Sequence, residues 1–230
     1  MIVGEELTRA ELSTGAGAPF PVGILRPSPA LEQVTELRRQ SDAWLALAKR
    51  YEAEQVAPEV AFRAHFASEV LFYAAVQLTT PYAATVLLAV HDDEVVGVAL
   101  YHLEGEDGQL AWVTVHPRFL AGSPTPAGEQ VRGIGSELVC VATAELVRAG
   151  ATRVRLTPLD AAAARFWSAR GFAPGKGDEL SVEGSEAITR MAAACASDPD
   201  DPAGDACPMC GSYRSLREVR LPALRERMPA

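Results

Sequence analysis

The sequence predicts an α/β fold, in which a mixed, mostly antiparallel sheet is flanked by helices. Three apolar stretches rich in β-branched residues, at 85–90, 95–103 and 110–115, are predicted as consecutive strands. Short polar turns of His, Asp, Glu and Gly join them, as expected of an antiparallel meander. Helical patterns before and after this meander supply the flanking layers.

The other predicted elements surround this meander. Residues 22–27 predict a first strand, and residues 30–51 and 59–77 predict two helices. After the meander the pattern predicts a helix over 136–148, which stops at a glycine, and a fifth strand over 152–156. A last strand is predicted near 187–193.

Two glycines occupy the turn that opens the helix at 136. This turn reads Gln-Val-Arg-Gly-Ile-Gly over residues 130–135. Without Cβ atoms its backbone can approach a ligand closely and adopt a positive φ. The first N–H groups of a helix lack intrahelical partners and lie at its positive end. The turn therefore predicts a phosphate site, and a plain glycine turn between strand and helix is the alternative.

Two common phosphate motifs do not fit this turn. A P-loop needs Gly-Lys-Ser/Thr, and the turn contains no lysine. A dinucleotide fingerprint needs a third glycine where Leu138 stands, and an acidic residue about 20 positions later, where Arg153 and Arg155 lie. The pattern Gln-x-x-Gly-x-Gly instead resembles the acyl-CoA pyrophosphate loop of the GNAT N-acetyltransferases.

A second segment strengthens this resemblance. Residues 160–172 resemble the family's second signature, roughly Asn-x-x-Ala-x-x-Phe-Tyr followed by Gly-Phe. Val115-His116-Pro117 resembles the end of the family's fourth strand. The two signatures occur in the right order, and the resemblance extends over roughly 22–192. It implies the GNAT acyltransferase fold.

The resemblance also implies acetyl-CoA as co-substrate. Its pyrophosphate would lie on the amides of the glycine turn, and its pantetheine arm would lie between the fourth and fifth strands like an added strand. An amide near Val115 would stabilise the oxyanion of the tetrahedral intermediate. Asp160 takes the place of a frequent Asn that contacts pantetheine, with a helix cap as the preferred alternative. The residues expected to bind the cofactor are Val113, Thr114, Val115, Gln130, Val131, Arg132, Gly133, Ile134, Gly135, Ser136, Asp160 and Trp167.

The candidates for the general acid and the general base depart from the family pattern. Trp167 stands where many members have a Tyr that protonates the departing thiolate, and an indole cannot do so. We therefore expect Trp167 to pack against the pantetheine arm or the core. The candidate general bases are His116 after the fourth strand, Glu104 at the end of the third, and Glu69 on the second helix. Deprotonation through ordered water is the alternative to all three.

Bulk properties narrow the class of protein. The chain has 230 residues and a net charge of −9, which argues against a nucleic-acid partner. It has no apolar run as long as a membrane helix, and its first residues do not resemble a secretory signal. We therefore expect a cytoplasmic protein without a membrane partner, whose acceptor is a small-molecule or peptide amine.

Two segments lie outside the family pattern. Residues 118–129 form a Gly- and Pro-rich insertion before the glycine turn, expected either as a lid or as a disordered surface loop. We predict an acyltransferase domain over 1–195 and an acidic, Pro-rich linker with a CxxC-containing tail over 196–230. Cys207 and Cys210 supply two of the four ligands of a structural zinc, so no metal site is predicted. Cys195, a histidine or a second subunit could complete such a site, and a homodimer stays open.

The expected function is therefore that of an N-acetyltransferase. The acceptor amine would attack the thioester of acetyl-CoA directly, through a tetrahedral intermediate. The alternative is a non-catalytic acyl-CoA sensor or interaction module with the same fold. Trp167 and the absence of a carboxylate on the fourth strand keep that alternative open.

Overall fold

The structure, a computed structural model, describes residues 2–80 and 84–183. In this part of the chain one sheet carries eight strands in the order β1-β2-β3-β4-β5-β6-β8-β7. Only β5 and β6 pair in parallel among the described strands, and the other neighbours are antiparallel. The predicted fold class, a mixed and mostly antiparallel sheet flanked by helices, is confirmed.

The bounds of the elements follow the chain. The helices are α1 (Leu31–Ala53), α2 (Pro58–Gln77), α3 (Ile134–Arg148) and α4 (Ala161–Ser168). The strands are β1 (Gly4–Ser13), β2 (Pro19–Pro27), β3 (Thr85–His91), β4 (Glu94–Glu104), β5 (Asp107–Val115), β6 (Arg153–Leu156), β7 (Ala173–Pro174) and β8 (Leu180–Glu183). The predicted fourth and fifth strands are thus β5 and β6.

The sequence did not predict strands β1, β7 and β8. Strand β1 lies at the sheet edge, and its Thr8, Ala10 and Leu12 are buried while the charged residues between them face outward. This alternation is typical of a half-buried strand, but its many charges weaken the apolar signal. The last strand predicted near 187–193 lies outside the described residues.

The sheet has a hydrophobic layer on each face. One layer joins α3 and α4 to strand residues such as Ile24, Leu87 and Val154. The other joins α1 and α2 to residues such as Leu88, Val98 and Leu100. Leu87 and Leu88 are neighbours on β3 that face opposite layers, as the two-residue period of a strand requires.

Helix α3 lies close against the sheet because Gly97 has no side chain. A Cβ at this position of β4 would come within 2.9 Å of side-chain atoms of both Ile134 and Leu138. Close packing thus fixes the first turn of α3 beside the end of β5. Within the described residues, no helix has the length and hydropathy to cross a bilayer.

Candidate active site

Strands β5 and β6 pair over a short length and then separate. Residues 107–109 of β5 pair with residues 153–155 of β6, and no pairing continues beyond them among the described residues. Arg153 holds this closed end through hydrogen bonds of 2.8 and 2.5 Å to the carboxylate of Asp107. Beyond it a cleft of about 310 Å³ opens between the two strands.

A β-bulge bends β5 where the cleft begins. Leu100 pairs with Trp112, whereas the next residue, Tyr101, pairs with Leu110, so Ala111 is the extra residue. A bulge bends its strand and can redirect neighbouring side chains. Ala111 and Trp112 therefore both pack toward the α1–α2 layer, and Val113 packs toward the α3 layer.

The backbone of β5 presents hydrogen-bonding groups to the cleft. The N–H of His116 donates to the carbonyl of Val96 on β4 at 2.9 Å. Because backbone groups alternate in direction along a strand, the amides of Val115 and Val113 point to the opposite edge. No described strand pairs with that edge, which therefore faces the cleft.

The first turn of α3 stands at the open end of the cleft. Gly133 precedes the helix with φ of 100°, a left-handed conformation that favours glycine, and no described side chain caps the helix there. Glu137 N–H donates to Gly133 at 2.9 Å, so the amides of residues 134–136 precede the first intrahelical bond. The turn therefore presents amides at the positive end of a helix.

Gly135, unlike Gly133, does not need to be glycine for its backbone conformation. Its φ is not in the left-handed region, and an added Cβ would make an ordinary contact of 3.6 Å with Val115. The fold itself thus tolerates a side chain at Gly135, which lines the cleft. The absence of a side chain leaves room for a ligand to approach the turn.

Arg170 places a positive charge beside this turn. Its guanidinium donates to the hydroxyl of Ser136 and, at 2.9 Å, to the carbonyl of Phe166. It also lies 3.4 Å from the centre of the Phe166 ring. Sequence reasoning considered the exposed Arg132 instead and missed Arg170, although Arg170 stands within the second signature at Arg170-Gly171-Phe172.

Gln130 orders the inserted loop that precedes the turn. Its amide nitrogen lies within hydrogen-bonding distance of the hydroxyl of Ser123, at 2.7 Å, and of the carbonyls of Arg118 and Thr125, both at 3.3 Å. The tip of the β1–β2 hairpin adds a bond of 2.8 Å from Gly15 N–H to the carbonyl of Gln130. The loop is thus tied down from both sides, which the sequence did not predict.

Apolar side chains make up most of the cleft wall. Trp167 is 7% exposed, and its indole packs edge-on against Phe166 and Phe172 at 5.0 and 5.4 Å. This agrees with the packing role expected of it. The other large apolar side chains that line the cleft are Phe66, Leu110, Trp112, Val113, Val115, Leu120, Leu156, Leu159 and Phe166.

Two charged residues meet across the mouth of the cleft. Asp160 caps α4, because one of its oxygens accepts the N–H of Ala163 at 2.7 Å. Its other oxygen accepts from Nε of Arg63 on α2 at 2.8 Å and lies 2.7 Å from Nη2. Burial raises the pKa of Asp160, but the bonds from Ala163 and Arg63 outweigh it, so that pKa lies below its ordinary value. No local pattern in the sequence pointed to Arg63.

Two of the three candidate bases lie away from these groups, and the third, Glu69, is an exposed residue of α2 that is not among the described residues lining the cleft. Burial, with the charge of Arg118 beside it, lowers the pKa of His116 to about 3. The Nδ1 of His116 accepts the N–H of Arg118 at 3.1 Å, and its ring packs against Trp44. Glu104 is an exposed carboxylate 3.5 Å from Arg155 near the closed end. Neither is among the described residues that line the cleft.

Comparison of the chain with known protein families identifies the class to which it belongs. The model of the acetyltransferase (GNAT) family matches residues 48–172, more than half of the 230 residues. The chain therefore belongs to the GNAT acetyltransferase family, as the glycine turn and second signature predicted. Acyl transfer is the activity of this class.

Several solved structures resemble the chain at low sequence identity. PaiA N-acetyltransferase from Thermoplasma acidophilum, in complex with coenzyme A, is 17% identical with a TM-score of 0.46, over 70% of this chain and 98% of that one. An acetyltransferase from Thermus thermophilus is 18% identical with a TM-score of 0.45, over 76% and 99%. Mycobacterium smegmatis RimJ, in complex with CoA-disulfide, is 14% identical with a TM-score of 0.44, over 84% and 97%. No curated protein sequence matches the chain.

Proposed function

We propose that the protein is an N-acetyltransferase that transfers the acetyl group of acetyl-CoA to an amine. The observation that carries this proposal is the separation of β5 from β6 beyond residues 107–109, directly beside the glycine start of α3. It joins an unpaired strand edge to a set of helix-end amides within one cleft. A pantetheine arm and a pyrophosphate need that combination.

The cofactor is proposed to enter from the α3 side of the sheet. Its pyrophosphate lies on the amides at the start of α3, residues 133–136, with Arg170 beside them. Its pantetheine arm follows residues 113–115 and accepts the amides of Val113 and Val115. The thioester then lies near the bulge at Ala111, and the acceptor reaches it from the α2 side, where Arg63 and Phe66 line the cleft.

The chemical step uses backbone groups and solvent. The amine nitrogen bonds to the thioester carbon, and an amide of β5 stabilises the oxyanion that forms. The carbon–sulfur bond then breaks and the thiolate leaves. Burial of the amine among apolar side chains lowers its pKa, which favours the neutral nucleophile. We propose water as the acceptor of the amine proton and as the proton donor to the thiolate, since Trp167 cannot supply one.

One observation favours a second function, binding of an acyl-CoA without turnover. Among the described residues that line the cleft, Arg63 and Asp160 are the only ionisable ones, and they are engaged with each other. A sensor or interaction module would need the cofactor site without an acid or base. This alternative predicts acetyl-CoA binding with no release of thiol.

A coupled assay separates the two functions. Acetyl-CoA affinity is measured by calorimetry, and thiol release is measured with a panel of primary amines. The enzyme predicts saturable binding and amine-dependent thiol release, with an acetylated amine seen by mass spectrometry. Binding without release for every amine would favour the sensor, and absence of binding would contradict both.

We also propose that the acyltransferase domain is complete without the tail after Ser197. All groups assigned to the cofactor precede residue 172. A chain ending at Ser197 is expected to bind acetyl-CoA with unchanged affinity. Oligomer mass and metal content are measured on the same samples, and loss of affinity on truncation would refute this division. One zinc per full-length chain, lost on truncation, would show that Cys207 and Cys210 belong to a metal site.

A further inference from the structure

The cleft and the adjoining groove beside α2 are both balanced in charge. Arg63 and Asp160 are the only charged residues among the described ones that line the cleft. A shallower outer groove also contains this pair, and its other charged residues are Glu59 and Arg165. Each cavity thus holds as many positive as negative side chains. The excess of negative charge next to the cleft lies in a separate groove beyond Asp160, which adds Asp178 and Glu179 to it.

Both oxygens of Asp160 already have a partner. One oxygen accepts the N–H of Ala163, and the other contacts two nitrogens of Arg63. The side chain of Asp160 is 29% exposed and that of Arg63 is 22% exposed, so solvent screens their charges only in part. A cation that enters the cleft therefore finds a carboxylate that Arg63 has already neutralised.

The wall on the α2 side is aromatic and aliphatic. Phe66, Trp112 and Leu159 line it, and the ring of Tyr73 lies 5.0 Å from that of Trp112. Such a wall stabilises an apolar group by burial. It provides no carboxylate for a second ammonium group, and the attraction of an ammonium to an aromatic face is smaller than the cost of its desolvation.

We propose that the Arg63–Asp160 pair selects the acceptor, so that the enzyme acetylates a primary amine carried on an apolar body and rejects polycations. This inference rests on the proposed N-acetyltransferase function. Arg63 acts as a specificity-determining residue, because it neutralises the one carboxylate among the described residues that line the cleft. The same pairing weakens the attraction of Arg63 for an acceptor that carries a carboxylate.

Three primary amines test this selectivity. Phenethylamine is an apolar amine, phenylalanine adds a carboxylate to it, and spermidine is a polycation. The kcat/KM of each amine is measured with saturating acetyl-CoA, and the values for phenylalanine and spermidine are compared with that for phenethylamine. The native protein is expected to favour phenethylamine at least about tenfold over each of the others, which corresponds to about 1.4 kcal/mol.

Two variants should shift this preference in opposite directions. Arg63→Met keeps an unbranched apolar stem but leaves Asp160 without its cationic partner. The kcat/KM for spermidine should therefore rise about tenfold relative to that for phenethylamine. Asp160→Asn keeps a helix-capping side chain but leaves Arg63 unpaired, so phenylalanine should gain similarly. Arg39→Met is the control, since it removes the same charge from the exposed Glu36–Arg39 pair of α1. It should leave all ratios unchanged.

Acetyl-CoA affinity of each variant shows whether the cofactor site is intact. If the native protein favours spermidine, or if neither variant shifts the ratios beyond the control, the inference is wrong while the acetyltransferase function stands. If no amine is acetylated, calorimetry of the three amines with CoA-loaded protein ranks them without turnover. Equal or spermidine-favouring affinities would then overturn the inference, and absence of acetyl-CoA binding would overturn the proposed function itself.

Discussion

The two sides of the cleft present different chemical groups: backbone on one side and side chains on the other. The proposed cofactor side uses backbone: the amides at the start of α3 and the edge of β5 with which no described strand pairs. The acceptor side uses side chains that come from separate elements, including Arg63 and Phe66 of α2 and Asp160 before α4. In the proposed function, backbone groups bind what every acyl-CoA shares, whereas side chains distinguish one acceptor from another.

This difference predicts how each side responds to substitution. Changes on the cofactor side should affect acetyl-CoA binding whatever the amine. Changes on the acceptor side should alter the choice of amine and leave acetyl-CoA affinity nearly constant. Substitutions on both sides test that separation, from the largest expected effect to the smallest.

Gly135→Asp is expected to have the largest effect. It adds bulk and a negative charge where a pyrophosphate must lie, so acetyl-CoA affinity should fall at least about a hundredfold. The fold should persist, because a Cβ at Gly135 makes only an ordinary contact with Val115. Gly133 is a poorer probe, since its φ of 100° makes any substitution strained.

Calorimetry and thermal unfolding check the Gly135 prediction together. Gly128→Asp is the matched control, because it adds the same charge in the inserted loop at a residue with room for a Cβ. Near-native acetyl-CoA affinity in a folded Gly135→Asp protein would show that the cofactor does not bind at this turn.

Gln130→Ala is expected to loosen the loop beside the turn. It removes the amide that lies near Arg118, Ser123 and Thr125, so loop amides should exchange faster and the KM for acetyl-CoA should rise about fivefold to tenfold. The kcat should change less. Ser123→Ala removes only one partner and should have a smaller effect of the same sign; equal KM values in all three proteins would contradict this role for the loop.

Trp167→Phe and Trp112→Phe form a pair that compares the two sides. Trp167 packs against Phe166 and Phe172, so its truncation should cost about 1–3 kcal/mol of stability and raise the KM for acetyl-CoA, with kcat within about threefold. Trp112→Phe should raise the KM for the amine instead. A thousandfold loss of kcat in folded Trp167→Phe with normal acetyl-CoA binding would make Trp167 a catalytic residue.

His116→Gln is expected to change stability rather than catalysis. Between pH 6.5, the ordinary pKa of His, and the lowered pKa of about 3, the unfolded chain binds a proton that the folded protein does not. The unfolding free energy of the native protein should therefore fall with decreasing pH over this window. The loss is at most about 1.4 kcal/mol per pH unit, and less because the ring is partly solvated.

Denaturant unfolding from pH 7 to pH 5 measures this effect. The native protein should lose about 1–2 kcal/mol more than His116→Gln across that range. Identical pH slopes would show that His116 titrates normally in the folded protein. A large fall in kcat for His116→Gln at unchanged stability would instead support a general base at this position.

The local structure of the proposed cofactor side could be predicted from the sequence better than that of the proposed acceptor side, for a physical reason. A glycine turn before a helix and an apolar strand are local patterns, so Gly133, Gly135 and the strand over 110–115 were recognisable within short windows. The pair of Arg63 and Asp160 joins residues 97 positions apart, and no local pattern signals it. The hydrogen bonds of Gln130 and the packing of Arg170 against Phe166 likewise depend on tertiary contacts.

Other differences also follow from tertiary structure. The insertion at 118–129 has a flexible composition, yet Gln130 and the β1–β2 hairpin hold it in place. His116 has a suitable ordinary pKa, but burial against Trp44 lowers it. The role of Asp160 as a helix cap was recognisable, because Asp before a run of alanines is a local signal.

Amide hydrogen exchange with and without acetyl-CoA tests the central claim most directly. We expect slower exchange at the amides of Val113 and Val115 and at residues 133–136 when acetyl-CoA is added, with little change in β3. Those amides lie on the free edge of β5 and at the start of α3. Saturable binding that leaves both segments unprotected would contradict the claim that the cofactor lies between β5 and β6.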